Sequence, residues 1–362
     1  MPNIIVVLGM HRSGTSALAG LLAASGAQCG QPLLPANDGN PRGYWELAPF
    51  VALNDRLLDC LHRVWFDASP LEGGWQDAPE IRGLEDVAAD LLRGQFGRSE
   101  LAMLKDPRLC LTLPFWRRVI LGLGYRLTLA VIARPVGEVV RSIQARDALS
   151  ARDIAYLWAR SMLESARACF DDRAVTFTYD QLLHSPPKVL ARIAVTLDVP
   201  LALDSDTEFI DASLQNHRMR DTTEIPQPLA RLCDELYAAF AEAAALGVSV
   251  GSARFLQSEA ALDALDRTLL PQVQQQALWN ARLQRTRVIE EIDAARTNIA
   301  TLVAEVDAAR QTINAQSLEI ADARQAHLDR DRIEDQLRAR IAEFENDTDR
   351  SVAGKRGSAI GD

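Results

Sequence analysis

The start of the chain combines an apolar run, a glycine-containing turn and a helical pattern. Residues 4–8 (IIVVL) lead into residues 9–16 (GMHRSGTS), and leucines at helical spacing follow. This order predicts a strand, a loop and a helix whose N-terminus directs backbone N–H groups at one anion. The segment therefore favours an α/β fold with an anion site, and an ordinary tight turn between strand and helix is the alternative.

The loop has the spacing of a nucleoside-triphosphate motif but lacks its lysine. Gly9, Gly14 and Ser16 fit G-x-x-x-x-G-K-[ST], in which the lysine reaches the terminal phosphates. Thr15 occupies the lysine position, and Arg12 supplies a positive charge from inside the loop. The loop is therefore predicted to bind an anion other than the end of ATP.

A second candidate anion site follows another apolar run. Residues 127–133 lead into Arg134 and Pro135, and a helical pattern containing Ser142 comes next. Proline suits the first turn of a helix, and Ser142 would lie about two turns along it. A guanidinium can hold a phosphate through two parallel hydrogen bonds, and a hydroxyl can add a third. An arginine and a serine placed in this way can bind a phosphate together, and ordinary surface residues are the alternative.

These two motifs, in this order, resemble the sulfotransferase family. Its members transfer a sulfonyl group from 3′-phosphoadenosine 5′-phosphosulfate (PAPS) to a hydroxyl or an amine. The resemblance covers about residues 1–255. It implies that PAPS is the donor, that no metal is needed and that Arg134 and Ser142 bind the 3′-phosphate. The residues implied to bind the 5′-phosphosulfate are Arg12, Ser13, Gly14, Thr15 and Ser16.

Three further residues extend the resemblance. Lys105 ends the apolar run 101–104 and corresponds to a lysine that reaches the sulfonyl group, with a salt bridge to Asp106 as the alternative. Tyr179 follows another apolar run and corresponds to a tyrosine beside the adenine, with core packing as the alternative. His217 lies where the family places a loop over the nucleotide.

Transfer to a hydroxyl needs a group that accepts its proton. In carbohydrate-modifying and tyrosyl-protein sulfotransferases a glutamate placed like Glu46 is this base, and a glutamate favoured by a helix dipole is the alternative. Cytosolic relatives use a histidine, so His11 and His62 are further candidates. His11 lies inside the glycine loop and His62 lies on a predicted helix without a matching motif, so a structural role is the alternative for both. The resemblance favours a carbohydrate acceptor. Aromatic residues that could stack on sugar rings, with packing in the core as the alternative, are Tyr44, Trp45, Trp65 and Trp75.

Net charge, cysteine spacing and the length of the apolar runs predict the kind of partner and the cellular compartment. The net charge of −10 argues against a surface for nucleic acids or anionic membranes. Five cysteines without close pairing or metal-ligand spacing are typical of free thiols in a reducing compartment. The N-terminal apolar run is too short for a signal peptide, and no run approaches the 18 apolar residues of a membrane span. We therefore expect a cytoplasmic enzyme without a transmembrane segment.

Apolar runs alternate with helical patterns over the first two thirds of the chain. This alternation predicts a P-loop-like parallel β-sheet with helices on both faces, and ligands bind such sheets at the carboxyl ends of the strands. The predicted strands are at about residues 3–8, 101–105, 126–133 and 173–178. The predicted helices are at about 15–25, 46–62, 80–95, 135–146, 151–170 and 187–198.

The last third of the chain has a seven-residue repeat. Branched apolar residues recur in one seam, and Glu305–Arg310 and Glu319–Arg324 have the spacing of charge pairs between parallel helices. The pattern predicts a long helix that forms a homodimeric coiled coil, and the alternative is a single long helix that lies against the catalytic domain or a partner. The seam comprises Ile292, Ile299, Val306, Ile313 and Ile320. The predicted division is a PAPS-binding domain over 1–255, a helical arm over 256–345 and a disordered tail over 346–362.

The sequence leaves three alternative functions open. A nucleotide kinase of the same fold is disfavoured by Thr15 and by the pair Arg134 and Ser142. A nucleotide-binding scaffold without catalysis, assembled through the helical arm, is the second alternative. The third is a sulfotransferase whose acceptor is an aryl alcohol or a protein tyrosine.

Overall fold

The computed structural model describes residues 2–37, 40, 42–203, 210, 222–247 and 252–357. It contains two compact units, Met1–Ala281 and Arg282–Asp362. His217, predicted to contact the nucleotide, lies outside the described residues. The domain boundaries near residues 255 and 345 and the disordered tail stay predictions.

The first unit is built on a four-stranded parallel sheet. The strand order is β2-β1-β3-β4. In the register, Val7 of β1 pairs with Lys105 of β2 on one side and with Ala130 of β3 on the other. The strands are β1 (Asn3–Leu8), β2 (Leu101–Lys105), β3 (Arg126–Ala133) and β4 (Arg173–Thr178). The strand bounds predicted from the apolar runs are confirmed.

Helices connect and cover the strands. They are α1 (Thr15–Ala24), α2 (Ala48–Cys60), α3 (Pro79–Arg82), α4 (Glu85–Phe96), α5 (Leu109–Gly122), α6 (Val136–Gln144), α7 (Ala151–Asp171), α8 (Tyr179–His184), α9 (Pro186–Leu197) and α10 (Gln227–Leu246). The single helix predicted over 80–95 is wrong, because α3 ends before Gly83 and α4 begins at Glu85. Glycine is a poor helix former, which favours a break at this point.

Both faces of the sheet are buried. Successive side chains of a strand point to opposite faces, and the side chains of β1 are completely buried from Ile4 to Leu8. One face of β1 belongs to a core shared with α2, α5 and α7, and the other belongs to a core shared with α1 and α9. The predicted α/β fold with helices on both faces is therefore confirmed.

The helix α11 spans Ser252–Gly357, and its first turns belong to the first unit. Phe255 and Leu262 are buried, and the Phe255 ring lies 5.1 Å from that of Phe170 on α7. Arg160 of α7 donates two hydrogen bonds to the carboxylate of Asp266, at 2.9 and 2.8 Å. The compact unit therefore includes residues beyond position 255.

Further along α11, the described side chains from 301 to 343 are exposed. Ile299, Val306, Ile313 and Ile320 are more than half exposed although they are large and apolar. Ile341 has the same character and lies six heptads (42 residues) after Ile299, so it occupies the same heptad position. This face of the helix is thus apolar and uncovered from Ile299 to Ile320 within the described part of the chain, whereas His327 and Glu334 occupy the same heptad position before Ile341.

Among the described residues, none of the helices combines the length and the apolar character that crossing a membrane requires.

Candidate active site

Most of the predicted site residues that the structure describes lie in segments that follow the carboxyl ends of the strands. The loop after β1 leads to α1 on one face, and the loop after the neighbouring strand β3 leads to α6 on the other. Where adjacent parallel strands connect to opposite faces, their loops separate and leave a ligand crevice. The fold therefore places the glycine loop opposite Arg134.

The glycine loop is shaped by two close approaches. A side-chain carbon on Gly9 would lie 2.6 Å from the carbonyl oxygen of Ile132 in β3, so the loop can run this close to β3 only with glycine. Gly14 has a φ of +96° and directly precedes α1. No side chain caps the N-terminus of α1. Its first backbone N–H groups are therefore open to an anion from the crevice.

Ser13 gives the loop a buried donor. Its side chain is fully buried, and its Oγ has no hydrogen-bond partner among the described residues. Leaving such a group unpaired costs about 1–3 kcal/mol. A ligand oxygen at the loop would satisfy this hydroxyl, so the residues present fit an anionic group.

The two predicted anion motifs form one hydrogen-bonded group. Arg12 donates from Nε to Ser142 Oγ at 2.9 Å. Arg134 donates from Nη1 to the carbonyl oxygen of Arg12 at 3.0 Å, and from Nε to Glu138 at 2.9 Å. Arg134 and Ser142 are both buried. Two guanidinium groups therefore link the loop after β1 to the end of β3 and to α6.

Tyr179 lies against the glycine loop. Its ring is 4.6 Å from the guanidinium carbon of Arg134, and a side-chain carbon on Gly14 would lie 2.3 Å from its Cδ2. Tyr179 is the first residue of α8, whose N-terminus is capped by Thr178 and Gln181 in a capping box. The cap fixes the helix start and so holds the phenol ring at the loop.

A buried ion pair occupies the same edge of the sheet. Lys105 Nζ donates a short hydrogen bond to Glu46 Oε1 and a second one, at 3.3 Å, to Ser16 Oγ in the first turn of α1. The side chains of Lys105 and Glu46 are 2% and 8% exposed. Asn40 also donates to Ser16 Oγ, at 3.2 Å. The structure therefore brings Glu46, Lys105 and Ser16 together, and Asp106 pairs with Arg108 instead.

Glu46 has a perturbed carboxyl group. Burial raises the pKa of Glu46, the nearby Asp106 acts in the same direction, and Lys105 opposes them. Its Oε1 accepts from Lys105, whereas Oε2 has no hydrogen-bond partner among the described residues. A carboxylate with a raised pKa and an open oxygen is suited to accept a proton.

The alternative bases have different surroundings. Burial lowers the pKa of His11, and Arg108, Arg146 and Lys105 lower it further. The His11 ring lies 4.6 Å from that of Trp65. His62 is exposed, shortly after the end of α2. Glu46 is thus the one of these three candidates that contacts Lys105.

The aromatic residues predicted to meet an acceptor are all partly exposed. Trp65 lies beside the glycine loop through its contact with His11. The Tyr44 hydroxyl donates to Asn37 Oδ1 at 2.8 Å. Trp45 and Trp75 pack against the two cores. Of the four, Trp65 is the one whose ring contacts a ring of the loop.

Three polar residues of the site were not predicted. Asn40 contacts Ser16, Glu138 contacts Arg134, and Asn54 contacts Asp106. Asn40 lies in an aperiodic loop, and Asn54 and Glu138 lie inside helices where one polar residue carries no motif. Asp106 had a visible signal, since it directly follows Lys105 at a strand end.

Comparisons with known proteins find distant similarity to two sulfotransferase domains. No family model matches the sequence. A comparison with proteins of curated function gives no match. Among solved structures, the sulfotransferase domain from the curacin biosynthetic pathway is 16% identical, with a TM-score of 0.35, and the match covers 73% of this chain and 98% of that one. The sulfotransferase domain from the Synechococcus PCC 7002 olefin synthase is 18% identical, with a TM-score of 0.34 and coverage of 73% and 94%.

Proposed function

We propose that this chain is a sulfotransferase that uses PAPS and transfers the sulfonyl group to a hydroxyl, with a carbohydrate as the acceptor. One observation carries most of the proposal. A buried glutamate and lysine pair contacts the first turn of α1, directly beside an uncapped helix N-terminus that two arginines flank. The site thus combines a candidate base with fixed positive charge at one anion site.

The residues of the loop fit the sulfonyl donor. PAPS supplies an activated sulfonyl group when bound. The backbone N–H groups at the start of α1 and the unpaired Ser13 hydroxyl would hold its 5′ end, together with Arg12, Gly14, Thr15 and Ser16. In this proposal Arg134 and Ser142 bind the 3′-phosphate, and Tyr179 contacts the adenine.

The proposed chemistry divides between two side chains. Glu46 takes the acceptor proton on Oε2 while the acceptor oxygen forms its bond to sulfur. The bond from sulfur to the phosphate oxygen breaks, and that oxygen leaves with the electron pair. Lys105 and Arg12 stabilise the developing negative charge, and fixed charges act strongly in a buried site. This division matches the burial of Glu46 and Lys105.

The acceptor and the location are supported by separate features. The partly exposed rings of Tyr44 and Trp65 provide surfaces on which a sugar ring could stack. The five cysteines are free thiols, which agrees with a cytoplasmic location. Transfer from radiolabelled PAPS to a panel of saccharides, aryl alcohols and tyrosine peptides would identify the acceptor class.

Arg134→Ala is expected to weaken binding of PAP, the desulfated product, by about 10–100-fold, because hydrogen bonds to charged groups contribute about 1.5–3 kcal/mol. The measurement is calorimetric titration without magnesium, using PAP and ADP side by side. Wild-type protein should prefer PAP strongly, and the variant should lose this preference because ADP has no 3′-phosphate.

Arg173→Ala is the matched control, since Arg173 is an arginine at the opposite end of a strand. It should bind PAP like the wild type. If Arg134→Ala weakens PAP and ADP equally, Arg134 acts through its contacts with the glycine loop, Glu138 or Tyr179, and the 3′-phosphate assignment is wrong. Strong ADP binding by the wild type together with magnesium-dependent ATP hydrolysis would support the kinase alternative, and PAP binding without any transfer would support the scaffold alternative.

We also propose that residues 292–345 form a parallel homodimeric coiled coil. The exposed apolar seam is the first support. The second is charge complementarity, since Glu305–Arg310 and Glu319–Arg324 join heptad positions g and e of parallel partners. A second copy of the chain in register satisfies both features at once.

The double variant Ile313→Asp/Ile320→Asp is expected to be predominantly monomeric, because it places four charges in the apolar seam of a dimer. Sedimentation velocity at about 10 µM, where a dimer with a Kd of about 1 µM or lower is mostly associated, measures the change. Gln311→Asp is the control, since position 311 lies on the outer side of the repeat, and it should remain dimeric. A dimer that survives the double variant would place the interface elsewhere.

A further inference from the structure

The proposed base and the proposed cation are carried by different elements. Glu46 lies two residues before α2, and Lys105 is the last residue of β2. Their ion pair therefore depends on how α2 is held against the end of β2. A displacement of about 1 Å between catalytic groups can lower a rate by about 100-fold.

A buried polar link joins these two elements. Asn54, in the middle of α2, donates from Nδ2 to Asp106 Oδ2 at 2.8 Å, and Asp106 directly follows Lys105. Asp106 Oδ1 accepts from the backbone N–H of Arg108 at 2.9 Å. Both linked side chains are fully buried. The link thus connects the helix after Glu46 with the residue after Lys105.

The orientation of the Asn54 amide is fixed by its other partners. Trp116 donates from Nε1 to Asn54 Oδ1 at 2.8 Å, and Thr112 donates to the same oxygen at 2.9 Å. An indole N–H can only donate, so the amide oxygen must face Trp116 and the amide nitrogen must face Asp106. The network is therefore satisfied in one orientation only.

We propose that Asn54 and Asp106 are positioning residues that hold Glu46 against Lys105. This inference rests on the proposed function of Glu46 and Lys105. A fully satisfied buried polar network fixes one geometry, whereas apolar packing tolerates small shifts. The charged groups around Glu46 agree with this proximity, since Lys105, Asp106 and Arg108 all influence its pKa.

The pair can be tested by exchanging its members. In Asn54→Asp, the carboxylates of residues 54 and 106 face each other. In Asp106→Asn, two amide groups face each other, and the Asn54 N–H group loses the carboxylate oxygen that accepts its hydrogen bond. In the double variant Asn54→Asp/Asp106→Asn, the carboxylate at 54 accepts from Trp116, Thr112 and the new amide, whose oxygen accepts from Arg108. The exchange therefore restores the hydrogen bond between positions 54 and 106 and the bonds from Arg108 to one oxygen of residue 106, whereas the 3.3 Å bond from Arg108 Nη1 to Asp106 Oδ2 is lost.

We expect each single variant to lower kcat by about 10–100-fold with little change in KM for PAPS, and the double variant to recover most of the loss. The second readout is the titration midpoint of the Glu46 carboxyl in full-length protein labelled with ¹³C-glutamate and assigned with Glu46→Gln. Each single variant should shift this midpoint, and the double variant should return the midpoint towards its wild-type value. Ser165→Ala, which removes an equally buried hydroxyl on α7, should leave both readouts unchanged.

The Tm of each variant shows whether it folds. Thr112→Val is a milder change than the other variants, because it removes one of the two donors to Asn54 Oδ1. It should lower kcat by about threefold, as expected for one neutral hydrogen bond. The proposal is overturned if the single variants change kcat and the Glu46 midpoint no more than Ser165→Ala does. It is also overturned if the double variant folds but recovers neither kcat nor the midpoint. Wild-type protein that transfers nothing from PAPS, yet shows the expected Glu46 shifts, would contradict the proposed function and support the positioning role.

Discussion

Glu46→Gln should lower turnover by about 10²–10⁴-fold, the usual contribution of a general base. The amide keeps the size of the carboxylate and can still accept the hydrogen bond of Lys105, but it cannot take a proton from an acceptor hydroxyl. The 5′ and 3′ ends of the nucleotide are held by other residues in our proposal. PAP affinity, measured by calorimetry, is therefore expected to stay within about twofold of the wild type, well below the cost of one lost hydrogen bond.

Glu164→Gln is the matched control for this variant. Glu164 is also a carboxylate whose pKa is raised by burial, and it pairs with Arg167 on α7. Its replacement removes a comparable charge without touching the crevice, so turnover should not change. An unchanged rate in Glu46→Gln itself would exclude Glu46 as the base and return attention to His11.

The assignment of Glu46 as the base also predicts the direction in which the rate changes with pH. A base works only when it is deprotonated, and burial raises the pKa of Glu46. The wild-type rate should therefore rise with increasing pH through a midpoint above the ordinary range of a glutamate, about 4.3. Glu46→Gln should lack this rise in its residual rate.

Gly14→Ala should weaken PAP binding by about 10²–10³-fold, because two penalties combine. The backbone of Gly14 has a φ of +96°, which side-chain-bearing residues adopt only under strain. The new methyl group would also lie 2.3 Å from Tyr179 Cδ2, far inside van der Waals contact. Tyr179 cannot retreat freely because Arg134 lies over its ring. Calorimetric titration with PAP measures the loss.

Gly26→Ala separates the two penalties. Gly26 has a φ of +101°, but a side-chain carbon there would meet nothing within 4 Å. This control should lose about 1–2 kcal/mol of stability from backbone strain and keep its PAP affinity. Adding Tyr179→Ala to Gly14→Ala should restore part of the binding. Equal PAP affinity in Gly14→Ala and wild type would show that the loop conformation described for Gly14 is not the binding conformation.

Local sequence patterns were sufficient to predict the bounds of the strands and the edge of the sheet at which the candidate site lies. The runs that form β1 and β3 are apolar on both faces, as expected for buried parallel strands. The carboxyl ends of parallel strands share one edge of the sheet. The order of apolar runs along the chain was therefore enough to place the glycine loop, Lys105 and Arg134 at that edge.

The contacts between distant residues could not be predicted in the same way. Glu46 follows an aperiodic loop, and its contact with Lys105 spans 59 positions, so no spacing rule connects them. Arg12 and Ser142 were predicted to serve different ends of one nucleotide, yet they contact each other across 130 positions. Asn54 is one polar residue in an otherwise ordinary helix. These contacts depend on how the loops and helices pack against the sheet. Local sequence patterns do not determine this packing.

The Ser13 hydroxyl, which has no hydrogen-bond partner within the described parts of the chain, has a thermodynamic consequence. A fold that leaves a buried donor unsatisfied is less stable than it could be, by about 1–3 kcal/mol. Substitution by alanine would remove that penalty from the ligand-free protein, and with it the hydrogen bond that a ligand oxygen would receive. A bound anion that accepts this hydrogen bond would therefore stabilise the folded protein, and Ser13→Ala would remove that part of the stabilisation.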